Sequence, residues 1–398
     1  MTVGTSTPWA DLLAPRMKTA GGDAIAKIMA LSTQTDIISF SGGFPDPATF
    51  PREQLTRLVA EIVDEGDVTA FQYAPTAGVA STLDYLAERL ETRDGRRPGD
   101  CELMVTSGSI DGLELAAKAF LDHGDVTVVE APTYLGAIMA FEGFGAHVAS
   151  VDLDEGGLLV DDLARRLADG LRPKLVYTIP DHHNPAGVTM TEERRRALVE
   201  LARRYGFLVV EDVAYRELSF DGQRLPSLWA LGPDVVVQLG TFSKTFFPGV
   251  RLGWAAAPAE VSAALVVAKQ NTDQGAGALG QRLLEKHGRS GGLDAQIARA
   301  RTLYAGRCAQ LLAALEAHMP DGARWTRPTG GFFSWLTLPP GFDAVEVGER
   351  GAEQKVAYVP GAPFYPDGRG GDRARLSFSR VSDEDIDEGI ARLAALLR

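Results

Sequence analysis

The 398-residue sequence predicts an α/β protein: a large, mostly parallel sheet between layers of helices, followed by a smaller α+β unit. Three observations lead there. Short apolar segments alternate with helical segments between residues 101 and 258. The short segments are apolar almost throughout, as strands buried on both faces are. Near residue 290 the alternation stops, and a long helical stretch leads into hairpin-like segments and a last helix. Strand and helix in strict alternation imply parallel strands joined by crossover helices.

Seven segments read as strands, a seven-stranded type of sheet: CELMVTSG (101–108), DVTVVEAP (125–132), AHVASVDL (146–153), KLVYTIP (174–180), FLVVEDV (207–213), VVVQLGTFS (235–243) and LGWAAAP (252–258). Between them SIDGLELAAKAFL (109–121), TYLGAIMAFEGFG (133–145) and TEERRRALVELARRYG (191–206) have helical spacing. Thr189 and Glu192 stand at the interval of a capping box for the last of these. After it come a helix near 291–318, GGFFSWLTLP, VAYVPGAPF, ARLSFSRV and SDEDIDEGIARLAALL. The expected organisation is an N-terminal segment (1–50) packing with the small unit, a large ligand-binding domain (51–289) and a small α+β domain (290–398).

Composition narrows the function classes. Hydrophobic residues make up 45%, enough for a sizeable core, and charged residues 23%. A net charge of −13 argues against a nucleic-acid surface. Cys101 and Cys308 lie far apart and form no CxxC pair, so the expectation is a reducing cytoplasm without disulfides. No secretory leader pattern is visible, and no apolar run reaches the ~18–20 residues of a membrane helix.

In open α/β sheets ligands sit beyond the carboxyl ends of the strands, so polar residues there carry the most weight. Four such ends stand out. Ser107-Gly108-Ser109 joins a strand to a helix, which makes it an anion site at a helix N-terminus or a plain turn with a Ser N-cap. Asp181-His182-His183-Asn184-Pro185-Ala186-Gly187 is a turn, with Asn184 able to meet a ligand oxygen. Its adjacent histidines point in different directions and lack the spacing of metal ligands, so they are expected in a surface turn. Asp212, followed by Tyr215, closes an apolar strand, and a buried carboxylate needs a partner; a protonated ring nitrogen and a helix N-terminus both fit. Lys244 follows Thr241 and Ser243 and precedes Arg251. Hydroxyls and Arg bind phosphate, while a lysine amine can form a Schiff base.

Eleven segments then occur in the order found in one family: IISFSGGFPDPATFP, FQYAPTAG, TSGS, EAPTYLGA, NPAG, VVEDVAYREL, GTFSK, PGVRLGW, RPTGGFFSW, YVPGAPF and RLSFS. From about residue 36 to its end the chain resembles the class I and II aminotransferases, pyridoxal 5′-phosphate (PLP) enzymes of fold type I. It looks closest to their 2-aminoadipate and broad-specificity bacterial branch. The resemblance implies amino transfer between an amino acid and a 2-oxo acid by a ping-pong route. Elimination, cyclisation or oxidation of an amino acid would use the same cofactor residues.

Lys244 would carry the cofactor and move the proton, with Asp212 at the pyridine nitrogen and Tyr215 and Asn184 at the ring oxygen. Tyr134 would stack on the ring. Gly108, Ser109, Ser243, Arg251 and Thr241 would hold the phosphate, and Ser107 and Ile110 complete the cofactor set. Tyr73 would reach the phosphate of a neighbouring subunit, which implies a homodimer. Arg375 would take the substrate α-carboxylate, with Gly43 and Asn184 on the substrate side. No metal, nucleic acid or membrane is implied.

The chain departs from the family pattern in places. Ile110 stands where relatives carry Gln, and His182-His183 where they carry Phe-Gln. An Arg that acidic-substrate enzymes place on an N-terminal helix aligns with Ala26, beside Lys27, which weakens an acidic-substrate reading. Arg380 has no counterpart role and is expected in solvent.

Overall fold

The computed structural model describes residues 9–14, 16–17 and 36–398. A short helix (Trp9–Leu12) precedes the first strand, β1 (Ile38–Ser39). The large sheet is built from β2 (Leu103–Thr106), β3 (Val126–Ala131), β4 (His147–Asp154), β5 (Gly157–Leu158), β6 (Leu175–Thr178), β7 (Leu208–Asp212), β8 (Val236–Thr241) and β9 (Gly253–Ala256). Its order is β2-β9-β8-β7-β6-β3-β4-β5. All seven expected strands are present, and the addition is β5, a two-residue strand antiparallel to β4.

The pairs β3/β4, β3/β6, β6/β7 and β7/β8 are parallel, whereas β9 runs antiparallel to both β8 and β2. Two reversals give β2 the same direction as β8. The carboxyl ends of β2, β3, β6, β7 and β8 therefore share one edge, and every chemistry-bearing turn of the sequence follows one of them.

Helices cover both faces. α1 (Ala80–Asp94), α2 (Ser109–Phe120), α3 (Leu135–Gly143), α4 (Glu192–Tyr205) and α5 (Ala259–Gln270) are the ones that bear on the site. Close approach of α2 to the sheet depends on Gly112: a Cβ there would lie 2.8 Å from Leu239 Cδ2 on β8. The capping residue of α4 is Thr191, whose side chain accepts from Arg194 N, rather than Thr189. Thr189 Oγ1 instead accepts from His182 N, so the expected capping box was set two residues early. Gly206, in the left-handed region at φ 74°, closes α4.

A second sheet follows in the order β10-β11-β14-β13, antiparallel throughout: β10 (Arg324–Trp325), β11 (Phe333–Thr337), β13 (Val359–Pro360) and β14 (Arg373–Ser377). The helices α6 (Gly292–His318) and α7 (Asp383–Ala395) pack with it around a core that includes Tyr304, Phe332, Leu376 and Ile390. β12 (Val356–Ala357) pairs in parallel with β1, and Arg307 on α6 holds Asp46 at 2.7 Å. Among the described residues no helix is long and apolar enough to cross a membrane.

Candidate active site

The strand ends open onto a cavity of about 320 Å³ shared between the two sheets. Lys244, Asp212, Tyr215, Asn184, Tyr134, Thr241, Ser243, Gly108, Ser109, Ile110, Arg251, Arg375 and Gly43 all line it. Strand direction and crossover helices bring the residues between 108 and 251 to one edge, and Gly43 and Arg375 reach the same cavity from outside the large sheet.

Lys244 sits just beyond β8, and its Nζ donates to the Gly43 carbonyl at 2.8 Å. The ammonium lies 5.9 Å from the ring centres of Tyr215 and Phe332. Its pKa falls to about 8, first because burial penalises the charge and then because Arg375 and Arg251 repel it, with Asp212 opposing. An ordinary surface lysine keeps its proton to about pH 9 and beyond; this one begins to release it near pH 8.

Asp212 ends β7 in the register opposite Leu239. One carboxyl oxygen accepts from Ala214 N at 3.0 Å and the other from Tyr177 Oη at 3.0 Å. Burial pushes its pKa up to about 6, against the pull of those two donors and of Lys244. The Ala214 bond is the local turn contact that an end-of-strand Asp makes, yet the carboxyl also faces the cavity. Tyr215 is held edge-on by Phe332 and Phe333, at 5.3 and 5.6 Å between ring centres. Burial raises the pKa of both Tyr215 and Tyr134, so each keeps its hydroxyl proton.

At the start of α2 the chain turns through Gly108 at φ +98°, a region that favours glycine, and a Cβ there would lie 3.1 Å from Arg251 Nη2. Gly108 is the N-cap, and no side chain caps the helix, so the alternative of a capping serine is not what is built. The first N–H groups of a helix have no partner within it. Around them stand the hydroxyls of Ser109, Thr241 and Ser243 and the guanidinium of Arg251, whose Nη1 donates to Ser243 Oγ at 3.4 Å and whose Nη2 donates to Ser107 O at 3.2 Å. Such a set of donors is able to hold a phosphate.

Arg375 projects from β14, where it pairs with Trp335 and Val359. Nη1 donates to Asn184 Oδ1 at 2.9 Å and Nη2 to Ser41 O at 2.8 Å, while the buried Nε has no partner. The guanidinium lies 4.4 Å from the Phe333 ring centre and 5.0 Å from that of Phe364. Burial lowers its pKa to about 10, which still leaves it charged at neutral pH.

Several expected residues lie elsewhere. Ser107 does not line the cavity; its hydroxyl donates to Asp273 Oδ2 at 2.8 Å, on the far side of the turn. Tyr73 is 89% exposed and borders a separate open cavity with Phe71 and Asp273. The histidines are not in a surface turn: His182 is 5% and His183 1% exposed. His182 packs against Gly330 and Gly331, and burial lowers its pKa to about 4. His183 Nδ1 accepts from Ala186 N, and its Nε2 lies 3.0 Å from a Glu130 oxygen but out of line for a hydrogen bond. The Pro and Gly that mark a turn do not reveal that Gly330 and Gly331, distant in the chain, cover it. Arg380 is exposed as expected, and Ala26 and Lys27 lie outside the described residues.

Other participants went unnoticed in the sequence. Tyr177 supports Asp212 from inside β6, where it reads as one more apolar strand residue. Phe44, Leu135, Ile179, Phe333 and Phe364 wall the cavity. Phe333 and Phe364 lie within GGFFSW and GAPF, so the motifs contained the signal without its direction.

The donor set suits PLP. A buried carboxyl held near pKa 6 matches a ring N–H, the Gly108 turn leaves room that a Cβ would take, and the Lys244 amine lines the same cavity.

A family model, aminotransferase class I and II, matches residues 35–393. The aromatic-amino-acid aminotransferase 1 of Thermococcus litoralis is 39% identical, with 94% of this chain and 91% of the relative covered. The 2-aminoadipate transaminase of Thermus thermophilus is 38% identical, over 94% and 93%. The solved kynurenine aminotransferase of Pyrococcus horikoshii, in complex with PMP, superposes with a TM-score of 0.94 at 38% identity, over 98% of both chains. With its cavity and its relatives in agreement, the chain belongs to the class I and II aminotransferases and is a PLP-dependent enzyme that transfers amino groups.

Proposed function

We propose that the enzyme moves the amino group of an aromatic or bulky apolar amino acid to a 2-oxo acid, in a ping-pong cycle with Lys244 as the cofactor lysine. One observation carries the substrate class: the Arg375 guanidinium is framed by the faces of Phe333 and Phe364. A carboxylate taken by Arg375 leaves its side chain among Phe44, Leu135 and those two rings. The other guanidinium among the described cavity residues, Arg251, is engaged with Ser107 and Ser243, which leaves no second fork for a distal carboxylate. Relatives named for aromatic amino acids and kynurenine are in keeping with this.

Bound here, PLP supplies a carbonyl that takes up the amino group and a cationic ring that withdraws electrons from the bond being broken. Asp212 would hold the proton on the ring nitrogen, because opposite charge stabilises both ionised forms. Tyr215 and Asn184 would meet the ring oxygen, and Tyr134 would pack on the ring. With its pKa near 8, the Lys244 amine would serve as the base that takes the substrate α-proton and as the acid that gives it back. Arg375 fixes the carboxylate, so the α-C–H bond is turned toward Lys244. Aromatic walls exclude water from these proton transfers.

The active form in this reading is a homodimer, with Tyr73 reaching the partner's phosphate. Val68, Phe71 and Tyr73 are 74%, 61% and 89% exposed within one short stretch, an apolar patch that association would cover. Sedimentation at micromolar concentration tests it. Both cysteines are free thiols, which suits a reducing compartment. For the substrate class, single amino donors are added to the PLP-loaded enzyme and the loss of the absorbance of the lysine-bound cofactor is followed. Phenylalanine, tyrosine and kynurenine are expected to react with higher kcat/KM than aspartate or 2-aminoadipate; the reverse order overturns the substrate class.

A further inference from the structure

Behind the phosphate cradle lies a buried charge cluster that the mechanism above does not use. Lys269, in the last turn of α5, is fully buried. Its Nζ lies 2.7 Å from Asp111 Oδ2, 2.8 Å from Asp273 Oδ2 and 3.4 Å from Ser107 Oγ. Asp111 stands in the first turn of α2, and its Oδ2 also accepts from Ser107 N at 2.8 Å. Asp273 accepts from Ser107 Oγ at 2.8 Å. Ser107 is thus held by its N–H and its hydroxyl from this cluster and by its carbonyl from Arg251. Gly108 and Ser109, the next two residues, line the cavity.

The charges pose a problem. A phosphate at the start of α2 would share that helix end with the Asp111 carboxylate, with Asp273 close by. Carboxylates at a helix N-terminus compete for the same dipole that attracts the anion, and like charges in a partly buried site are weakly screened. Lys269 is the ammonium placed between the two acids. Lys118, in the last turn of α2, fastens the C-terminal end of α5, since its Nζ donates to the carbonyls of Ala268 and Asn271.

We infer that Lys269 is a positioning residue for the cofactor phosphate: by offsetting part of the negative charge of Asp111 and Asp273 it lets the Ser107–Ser109 turn accept a dianion. The inference rests on reading Ser109, Ser243 and Arg251 as the phosphate cradle. It makes affinity for the phosphate group, rather than the chemical step, depend on a residue outside the cavity.

The test measures dissociation constants of PLP and of pyridoxal, which lacks the phosphate, on the cofactor-free enzyme by absorbance. Lys269→Met is expected to weaken PLP about tenfold or more while pyridoxal stays within about twofold, because only the charged ligand meets the exposed carboxylates. Adding Asp111→Asn and Asp273→Asn to Lys269→Met keeps the acceptor oxygens and removes the charges, so PLP affinity should return. Asp273→Asn alone, at the cluster's rim, leaves Lys269 in place and is expected to bind PLP as tightly as the parent or more tightly. That variant decides the matter if Lys269→Met does not fold.

Equal weakening of PLP and pyridoxal by Lys269→Met, or weaker PLP binding in Asp273→Asn, overturns the inference. Arg251→Ala is the control for the cradle and should lose PLP but not pyridoxal. If Arg251→Ala shows no such selectivity, the cradle reading fails and the inference with it. If Arg251→Ala shows it and Lys269→Met does not, the inference alone fails.

Discussion

Arg375 Nη1 donates to Asn184 Oδ1 across 2.9 Å, and this one bond ties β14 of the small sheet to the turn after β6 of the large one. The cation proposed for the substrate carboxylate and the residue proposed for the ring oxygen are therefore positioned by each other. A fork-shaped cation is required to serve Asn184, Ser41 and a carboxylate together. Arg375→Lys keeps the charge and loses the fork. Its kcat/KM for amino donors should fall about 10- to 100-fold, or ~1.4–2.8 kcal/mol, with PLP absorbance intact. Steady-state kinetics on the loaded variant measures this.

Tyr177 offers a test of how Asp212 is tuned. Its hydroxyl donates to the charged carboxylate and so lowers the Asp212 pKa. Tyr177→Phe removes that donor, and the pKa must rise above about 6. The acid limb of the kcat/KM profile should then move to higher pH by about one unit, the size expected for one bond to a charged group. An unmoved acid limb would mean that Asp212 does not set it.

The buried Lys244 also costs stability. Its folded pKa of about 8 lies below the ordinary value of 10.5, so the folded state binds the proton less well than the unfolded chain. Below pH 8 the lysine is charged in both states and the full penalty applies; above pH 10.5 it is neutral in both and the penalty is gone. Cofactor-free Lys244→Met should therefore be more stable than the parent at pH 7, by up to about 3 kcal/mol. The gain should fade as pH rises from 8 to 10.5, and denaturant melts of the two cofactor-free proteins across that range read it directly.

Gly43 carries both a carbonyl for Lys244 and a close approach to an aromatic wall. A Cβ there would lie 2.7 Å from Phe333 Cζ, so the ring must shift. Gly43→Ala should lower kcat/KM for phenylalanine more than for alanine, by about 10-fold in the ratio, since a narrowed pocket penalises the larger side chain. Equal losses for both would argue against Phe333 as the substrate wall.

How much of this was legible in the sequence depends on what each residue's signal consists of. The strands and their turns were, because runs such as VVVQLG and the residues that end them announce a buried strand and its exit. Lys244, Asp212, Asn184 and Arg251 were found for that reason, and all line one cavity. Contacts made by apolar-looking or distant residues were not. Tyr177 hides in a strand, and its hydroxyl matters only because β6 and β7 are neighbours. Lys269 resembles any helix lysine until α5 is laid against α2. His182 and His183 read as surface because their cover, Gly330 and Gly331, comes from far along the chain. Ser107 was placed on the cavity because sequence spacing does not say which way the side chain before a left-handed turn faces.

The covalent identity of the cofactor lysine decides the rest. The PLP-loaded enzyme is reduced with borohydride, digested, and its peptides are mapped by mass. Lys244 is expected to carry the phosphopyridoxyl group in near-stoichiometric yield, and Lys244→Ala to retain none. A reduced adduct on any other lysine, with Lys244 unmodified, would contradict the assignment of the site.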